Sequence, residues 1–219
     1  MEVVTVKARR TFAANCYLVP DGQGRCAVID PGAEPANILA VLRERGWIPA
    51  AILLTHGHFD HIGAVKALKK EFPQLKICLH AADMIFVSLN NDAAFHVVYP
   101  NLRPHGVKTG VYCFRPDQLV SAGDVLTVGA LSFSVLETPG HTAGSVCYAC
   151  GNNLFTGDTL FYHDLGRTDL YSGSTEALRK SVRQLNGLEK NYIVYPGHDR
   201  TTTLDEERDF IRRFLGAAR

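Results

Sequence analysis

The chain has 219 residues, enough for one large domain or two small ones with a substantial core. Hydrophobic residues make up 46% and charged residues 21%, and 23 basic against 22 acidic side chains leave a net charge of +1. That balance carries no nucleic-acid footprint, and no run approaches the roughly 20 apolar residues that span a bilayer.

The start, Met1 to Lys7, has no basic segment leading into a longer apolar one, so no signal peptide and a cytoplasmic location are expected. Six cysteines (Cys16, Cys26, Cys78, Cys113, Cys147 and Cys150) form no framework. Cys147 and Cys150 lie in the apolar stretch 145–150, where a strand would turn them to opposite faces. Buried, reduced thiols are the expectation.

In chain order, Val3 to Lys7, Cys16 to Val19 and Arg25 to Asp30 read as strands, with a turn at Pro20 to Gly24. Ala36 to Arg45 has helical periodicity and stops at Gly46. A buried strand follows at 50–54, then a helix over Ile62 to Phe72 whose lysines face solvent, then a strand at Lys76 to Leu79. Residues 83–120 are less regular. A short helix fits Asp83 to Ser88, and the remainder suggests a lid or an insertion. Strands return at 125–128, 131–136, 145–150 and 154–156, followed by a helix at 175–188, a strand at 192–195 and a last helix at 205–215. The order predicts an α/β protein with two sheets packed face to face, helices outside, and one domain over 1–219.

Chemistry concentrates at 55–61, Thr-His-Gly-His-Phe-Asp-His, directly after the buried strand. Neutral imidazole and carboxylate are ligands for zinc and similar divalent ions, and one loop can hardly surround an ion alone. Three later loops repeat the pattern of a strand end, a glycine and a His or Asp: Pro139-Gly140-His141, Gly157-Asp158 and Pro196-Gly197-His198. The candidate donors are His56, His58, Asp60, His61, His141, Asp158 and His198. Seven are too many for one tetrahedral ion and suit two ions sharing a carboxylate. His80, His96, His105 and His163 lack this context and read as ordinary side chains.

These motifs, with "TPGHTAGS", "FTGDTLF" and "YPGHD", resemble the metallo-β-lactamase superfamily, and most closely its glyoxalase II-like branch, from about Asn15 to His198. The resemblance implies an αβ/βα four-layer sandwich with two mixed β-sheets. It implies two divalent ions, zinc first with iron or manganese as alternatives. His56, His58 and His141 would hold one ion, Asp60, His61 and His198 the other, and Asp158 would bridge them. Asp60 would also orient the nucleophile as the catalytic residue. Asp30, in Asp30-Pro31-Gly32, would orient a ligand from behind by hydrogen bonds.

Arg167, in the loop after Asp158, is the candidate for recognising a substrate carboxylate, with pairing to Asp169 as the structural alternative. Tyr171, and with it Tyr162, would line the same cleft. The implied activity is hydrolysis of a thioester or related ester, hydroxyacylglutathione foremost, on a small thiol-derived substrate with no nucleic-acid or membrane partner. Full-length glyoxalase II enzymes carry a further C-terminal helical domain, whereas only one predicted helix follows His198 here, which widens the substrate class. Alternatives are a mononuclear iron persulfide dioxygenase, a β-lactamase, and a non-catalytic metal-binding or sensing module.

Overall fold

The computed structural model describes residues 1–7, 14–32, 34–99 and 112–216. Two six-stranded sheets build the frame. The first contains β1 (Val4–Val6), β2 (Cys16–Pro20), β3 (Arg25–Ile29), β4 (Ile48–Leu53), β5 (Lys76–His80) and β6 (Gln118–Val120), in that spatial order. The second runs β12 (Thr202–Thr203), β11 (Ile193–Pro196), β10 (Asn153–Gly157), β9 (Val146–Cys150), β8 (Leu131–Glu137), β7 (Val125–Val128). Both are mixed: β3 to β6 pair in parallel behind an antiparallel β1–β2–β3 meander, and β10–β11 is the parallel pair of the second sheet.

The layers follow from which face of each strand is apolar. Tyr17, Val19, Ala27, Ile29 and Leu53 of the first sheet meet Phe133, Val135, Tyr148 and Phe155 of the second in the central core. The alternate residues of the first sheet, such as Leu18, Val28 and Ile52, pack against α1 (Pro35–Arg45) and α3 (Val65–Glu71). Cys147, Leu154 and Val194 of the second sheet pack against α5 (Thr175–Asn186) and α6 (Leu204–Gly216). This is the αβ/βα sandwich. Cys147 thus faces the helices and Cys150 the central core, so the two thiols point to opposite sides of β9. All six cysteines are free, and only Cys113 is more than slightly exposed.

The helix expected over 62–72 starts earlier and is broken. Asp60 and His61 lie in a short helix, α2 (Phe59–Ile62), and α3 begins only at Val65. The break has a tertiary cause: Ala64 N–H donates to Pro31 O (2.9 Å), so the interhelix turn is tied to the Asp30-Pro31-Gly32 turn.

The described parts of this region, 83–99 and 112–120, are more regular than their sequence suggests. Two 3-10 turns (Ala81–Asp83 and Phe86–Ser88) replace the expected short helix. Asn91 caps a helix, α4 (Asp92–Val98), by accepting from Ala94 N–H (2.9 Å), where an irregular segment was expected. Phe86, Leu89, Phe95, Val98 and Tyr99 form their own small apolar cluster with Phe59. β6 closes the edge of the first sheet, so that stretch belongs to the frame. The expected lid falls in part on 100–111, outside the described residues, as does His105. Among the described residues no helix is long and apolar enough to cross a membrane.

Candidate metal centre

The candidate donors arrive on loops at one edge of the two sheets. His56 and His58 follow β4, His141 follows β8, Asp158 follows β10 and His198 follows β11. Backbone bonds across the sandwich hold that edge together: Val146 N–H donates to Thr55 O (2.8 Å) and Asn15 N–H to Gly197 O (2.6 Å). Tyr148 Oη–H donates to Leu54 O (2.9 Å), fixing the end of the strand that delivers the first histidines. Gly197 is required by close approach, because a Cβ there would sit 2.1 Å from Asp158 Oδ1.

All seven candidates converge. Donor atoms of His56, His58 and His141 lie within 4.8 Å of one another, as do those of Asp60, His61 and His198. His56, His61 and Asp158 form a third such group that joins the two. Asp158 reaches both sides: Oδ1 is 3.2 Å from His61 Nε2, and Oδ2 is 3.4 Å from His141 Nε2 and 3.5 Å from His198 Nε2. Asp60 Oδ2 is 3.3 Å from His198 Nε2 and 3.8 Å from His61 Nε2.

The surrounding bonds decide which ring nitrogens face inward bare. Arg167 O, a carbonyl that can only accept, lies 2.7 Å from His141 Nδ1, so that nitrogen carries the proton. The Asp30 carboxylate is 2.9 Å from His61 Nδ1, which donates to it. Thr55 Oγ1 gives its own proton to Asp30 Oδ2 (2.6 Å), so His56 Nδ1, 3.1 Å away, donates to Thr55. In the neutral rings Nε2 of His56, His61 and His141 is therefore a lone pair turned inward. His58 Nδ1 sits 3.1 Å from His56 Nε2 and 2.8 Å from His141 Nε2, an arrangement in which too few protons exist to satisfy every nitrogen.

Electrostatics divide the imidazoles into two kinds. Burial drives His56 well below its ordinary pKa, helped by the neighbouring His61, and pushes His58 down to about 3, helped by His141. Burial also works against charge on His61, yet Asp158, Asp30 and Asp60 hold it well above the usual value. His198 is raised to about 9, against its burial, by hydrogen bonding to Asp158 and Asp60. Burial would raise Asp158, but His61 and the bond to His198 hold it well below the carboxylate range. The carboxylates thus demand positive charge at their centre. Among the described residues, His61 Nε2 and Asp158 Oδ1 are buried without a hydrogen-bond partner, although only 3.2 Å apart. Imidazole nitrogens and carboxylates gathered in two adjoining groups, with buried polar atoms left unpaired between them, make a donor set that fits divalent cations.

The remaining expectations divide. Asp30 lies behind the cluster and binds His61 and Thr55, holding a left-handed backbone (φ 47°) to do so. The Arg167 side chain is exposed and forks onto Asp169 with two 2.7 Å bonds, which hold Arg167 above its usual pKa and bring Asp169 to about 2. It is the backbone carbonyl of Arg167 that touches the cluster. Tyr171, 41% exposed, packs edge-on against Phe86 (6.1 Å), whose ring lies 4.8 Å from that of His58. Tyr162 instead stacks under Arg200 at 3.6 Å. His80 and His163 pair with Glu137 and Glu207, both at 3.1 Å.

Three positioning residues, Asn15, Tyr17 and Asp83, have no signal in the sequence. Asn15 Nδ2 donates to Pro196 O (3.1 Å) and Asp199 O (3.0 Å), and Tyr17 Oη to Pro196 O (2.5 Å), together pinning the His198 loop. Asp83, fully buried, accepts from Gly57, Thr142 and Gly144.

A family model for the metallo-β-lactamase superfamily matches residues 9–198. The chain belongs to that superfamily. Within it, an uncharacterised protein of Mycobacterium leprae is 38% identical over 205 residues, covering 90% of this chain and 91% of its own length. The hydroxyacylglutathione hydrolase of Klebsiella pneumoniae is 34% identical over 187 residues, which span 84% of this chain and 61% of that protein. Among solved structures, the B3 metallo-β-lactamase BLEG-1 superposes with a TM-score of 0.85 at 32% identity, covering 98% and 99% of the two chains. TTHA1623 in a di-iron-bound form gives 0.77 at 35% identity over 94% and 96%. ETHE1 from Myxococcus xanthus gives 0.75 at 27% identity over 99% and 85%. Superfamily membership and the His/Asp cluster together support a metal-binding hydrolase.

Proposed function

We propose that the chain is a binuclear metal-dependent hydrolase acting on thioesters or related esters, with hydroxyacylglutathione-type thioesters as the leading substrates. The observation that carries this reading is the convergence of two three-donor groups on Asp158, with Nε2 of His56, His61 and His141 turned inward. His56, His58 and His141 would hold one ion, Asp60, His61 and His198 the second, and Asp158 would serve both. Zinc leads, with iron and manganese as alternatives that suit the same donors. When bound, two such ions lower the pKa of a water towards roughly 7 and polarise a carbonyl.

The chain's own residues do the rest. Asp60 and His198 lie on the more open side, with side chains 17% and 32% exposed, where solvent and substrate can enter. Asp60 would orient the attacking water by accepting its hydrogen bond. Asp30, Thr55 and the Arg167 carbonyl keep the imidazole protons on the outward nitrogens, so the rings face the centre as acceptors. A thiolate leaving group needs little protonation, which suits a site whose acids are all held as ligands. Arg167 would recognise a substrate carboxylate by leaving Asp169, and Tyr171, which rests on the buried Phe86, would flank the acyl group.

A second reading is favoured by one observation. This chain superposes on the B3 metallo-β-lactamase BLEG-1 with a TM-score of 0.85, against 0.77 for TTHA1623 and 0.75 for ETHE1. Ring opening of a β-lactam at the same site is therefore the competitor. Parallel assays of S-lactoylglutathione and a chromogenic cephalosporin separate them. Preferred turnover of the cephalosporin would overturn the thioester assignment while leaving the metal centre intact. Oxygen consumption with a single bound iron would instead point to the persulfide dioxygenase alternative.

A further inference from the structure

We propose that Asp83 is a positioning residue that sets the spacing of the His56/His58/His141 group, an inference that rests on the metal-centre reading above. Asp83 closes the 3-10 turn after β5, and its carboxylate is fully buried. Oδ2 accepts from Gly57 N–H (2.8 Å) and from Thr142 Oγ1–H (2.8 Å), while Oδ1 accepts from Gly144 N–H (2.8 Å). Gly57 stands between His56 and His58, and Thr142 follows His141. One carboxylate therefore joins the loop from the first sheet to the loop from the second, next to all three imidazoles of one group.

The approach is too close to be incidental packing. A Cβ at Gly144 would lie 2.5 Å from Asp83 Oδ1, and one at Gly57 would lie 2.8 Å from the Phe86 Cβ that follows the same turn. Burying a carboxylate is costly unless its oxygens are well paired. Here every donor comes from the two ligand loops, and the result is the 2.8 Å separation of His58 Nδ1 from His141 Nε2. The other group is served differently, with Asp30 behind His61 and Asn15 and Tyr17 behind His198.

An amide in place of the carboxylate offers one acceptor oxygen and turns an NH2 towards a backbone N–H, so at least one loop is released. Loss of such an outer hydrogen bond costs about 10–100-fold in metal affinity. The test is titration of cobalt(II) into the full chain, followed by its visible absorption. The two binding steps are assigned with His198→Ala, which weakens the Asp60/His61/His198 step. Asp83→Asn is expected to weaken the other step by about 10–100-fold and leave the Asp60/His61/His198 step unchanged, with a preserved circular dichroism spectrum. Thr142→Val, which removes one of the three donors, should weaken the same step less. If Asp83→Asn does not fold, Thr142→Val decides, and an unchanged step there overturns the proposal. Equal weakening of both steps would make Asp83 a general scaffold residue, which also overturns it. A wild-type chain that takes up no cobalt would instead refute the metal-centre reading itself, whereas two normal steps in both variants would refute only the role of Asp83.

Discussion

The Asp30 carboxylate lies 2.9 Å from His61 Nδ1 and also receives the Thr55 hydroxyl at 2.6 Å, so one buried acid fixes the proton positions of two imidazoles. His61 donates to it directly, and His56 donates to Thr55, whose own proton is committed to Asp30. Asparagine tolerates the left-handed backbone that Asp30 adopts, so Asp30→Asn changes the chemistry without forcing the turn. The substitution should lower metal affinity at the Asp60/His61/His198 group by about 10–100-fold, read by competition with a chromogenic chelator. Unchanged affinity would mean that the Asp30–His61 bond does not tune the centre.

The sandwich itself rests on the core between the sheets. Phe155 is fully buried, with its ring 5.6 Å from Tyr17 of the opposite sheet and 5.1 Å from Tyr195. Phe155→Ala should destabilise the fold by about 3–5 kcal/mol through lost burial and a residual cavity. Urea unfolding should show a lower midpoint with an unchanged slope.

Thiol labelling gives a test of the burial pattern. Burial raises Cys26 and Cys147 to about 12 and Cys78 to about 11, and pushes Cys16 and Cys150 upward as well. A raised thiol pKa leaves less thiolate, so between pH 7 and 9 these five stay protonated and shielded. The native protein should react rapidly at Cys113 alone, and all six thiols should react after unfolding. Rapid native labelling at Cys147 or Cys150 would contradict the packing of β9.

Arg167 separates stability from recognition. Its pair with Asp169 is exposed and contributes little to folding, so Arg167→Ala should leave the melting temperature unchanged. If the guanidinium takes a substrate carboxylate, KM for an anionic thioester should rise about tenfold with kcat nearly constant, the pattern of lost uniform binding. An unchanged KM would restrict Arg167 to its loop and to the carbonyl that accepts from His141.

The parts of this architecture that were legible are those governed by local pattern. The apolar run at 50–54 announces β4 because strands buried on both faces read as continuous hydrophobics. The glycine-flanked His and Asp positions mark four strand ends that the structure brings to one edge. α4 escaped because seven residues make only two turns, too short for periodicity to register despite the Asn91 cap. The break between α2 and α3 was hidden because its cause, the bond from Ala64 to Pro31, joins segments more than thirty positions apart. Asp83, Asn15 and Tyr17 carry no local signature at all. Their roles exist only once distant loops are brought together.

The metal centre is tested most directly by elemental analysis of the purified chain paired with S-lactoylglutathione hydrolysis in wild type and His58→Ala. Two divalent ions per wild-type chain are expected, with hydrolysis abolished by chelation and restored by zinc, and with loss of both metal and activity in His58→Ala. Full activity in His58→Ala, or in metal-free wild type, would rule out a metal-dependent hydrolase.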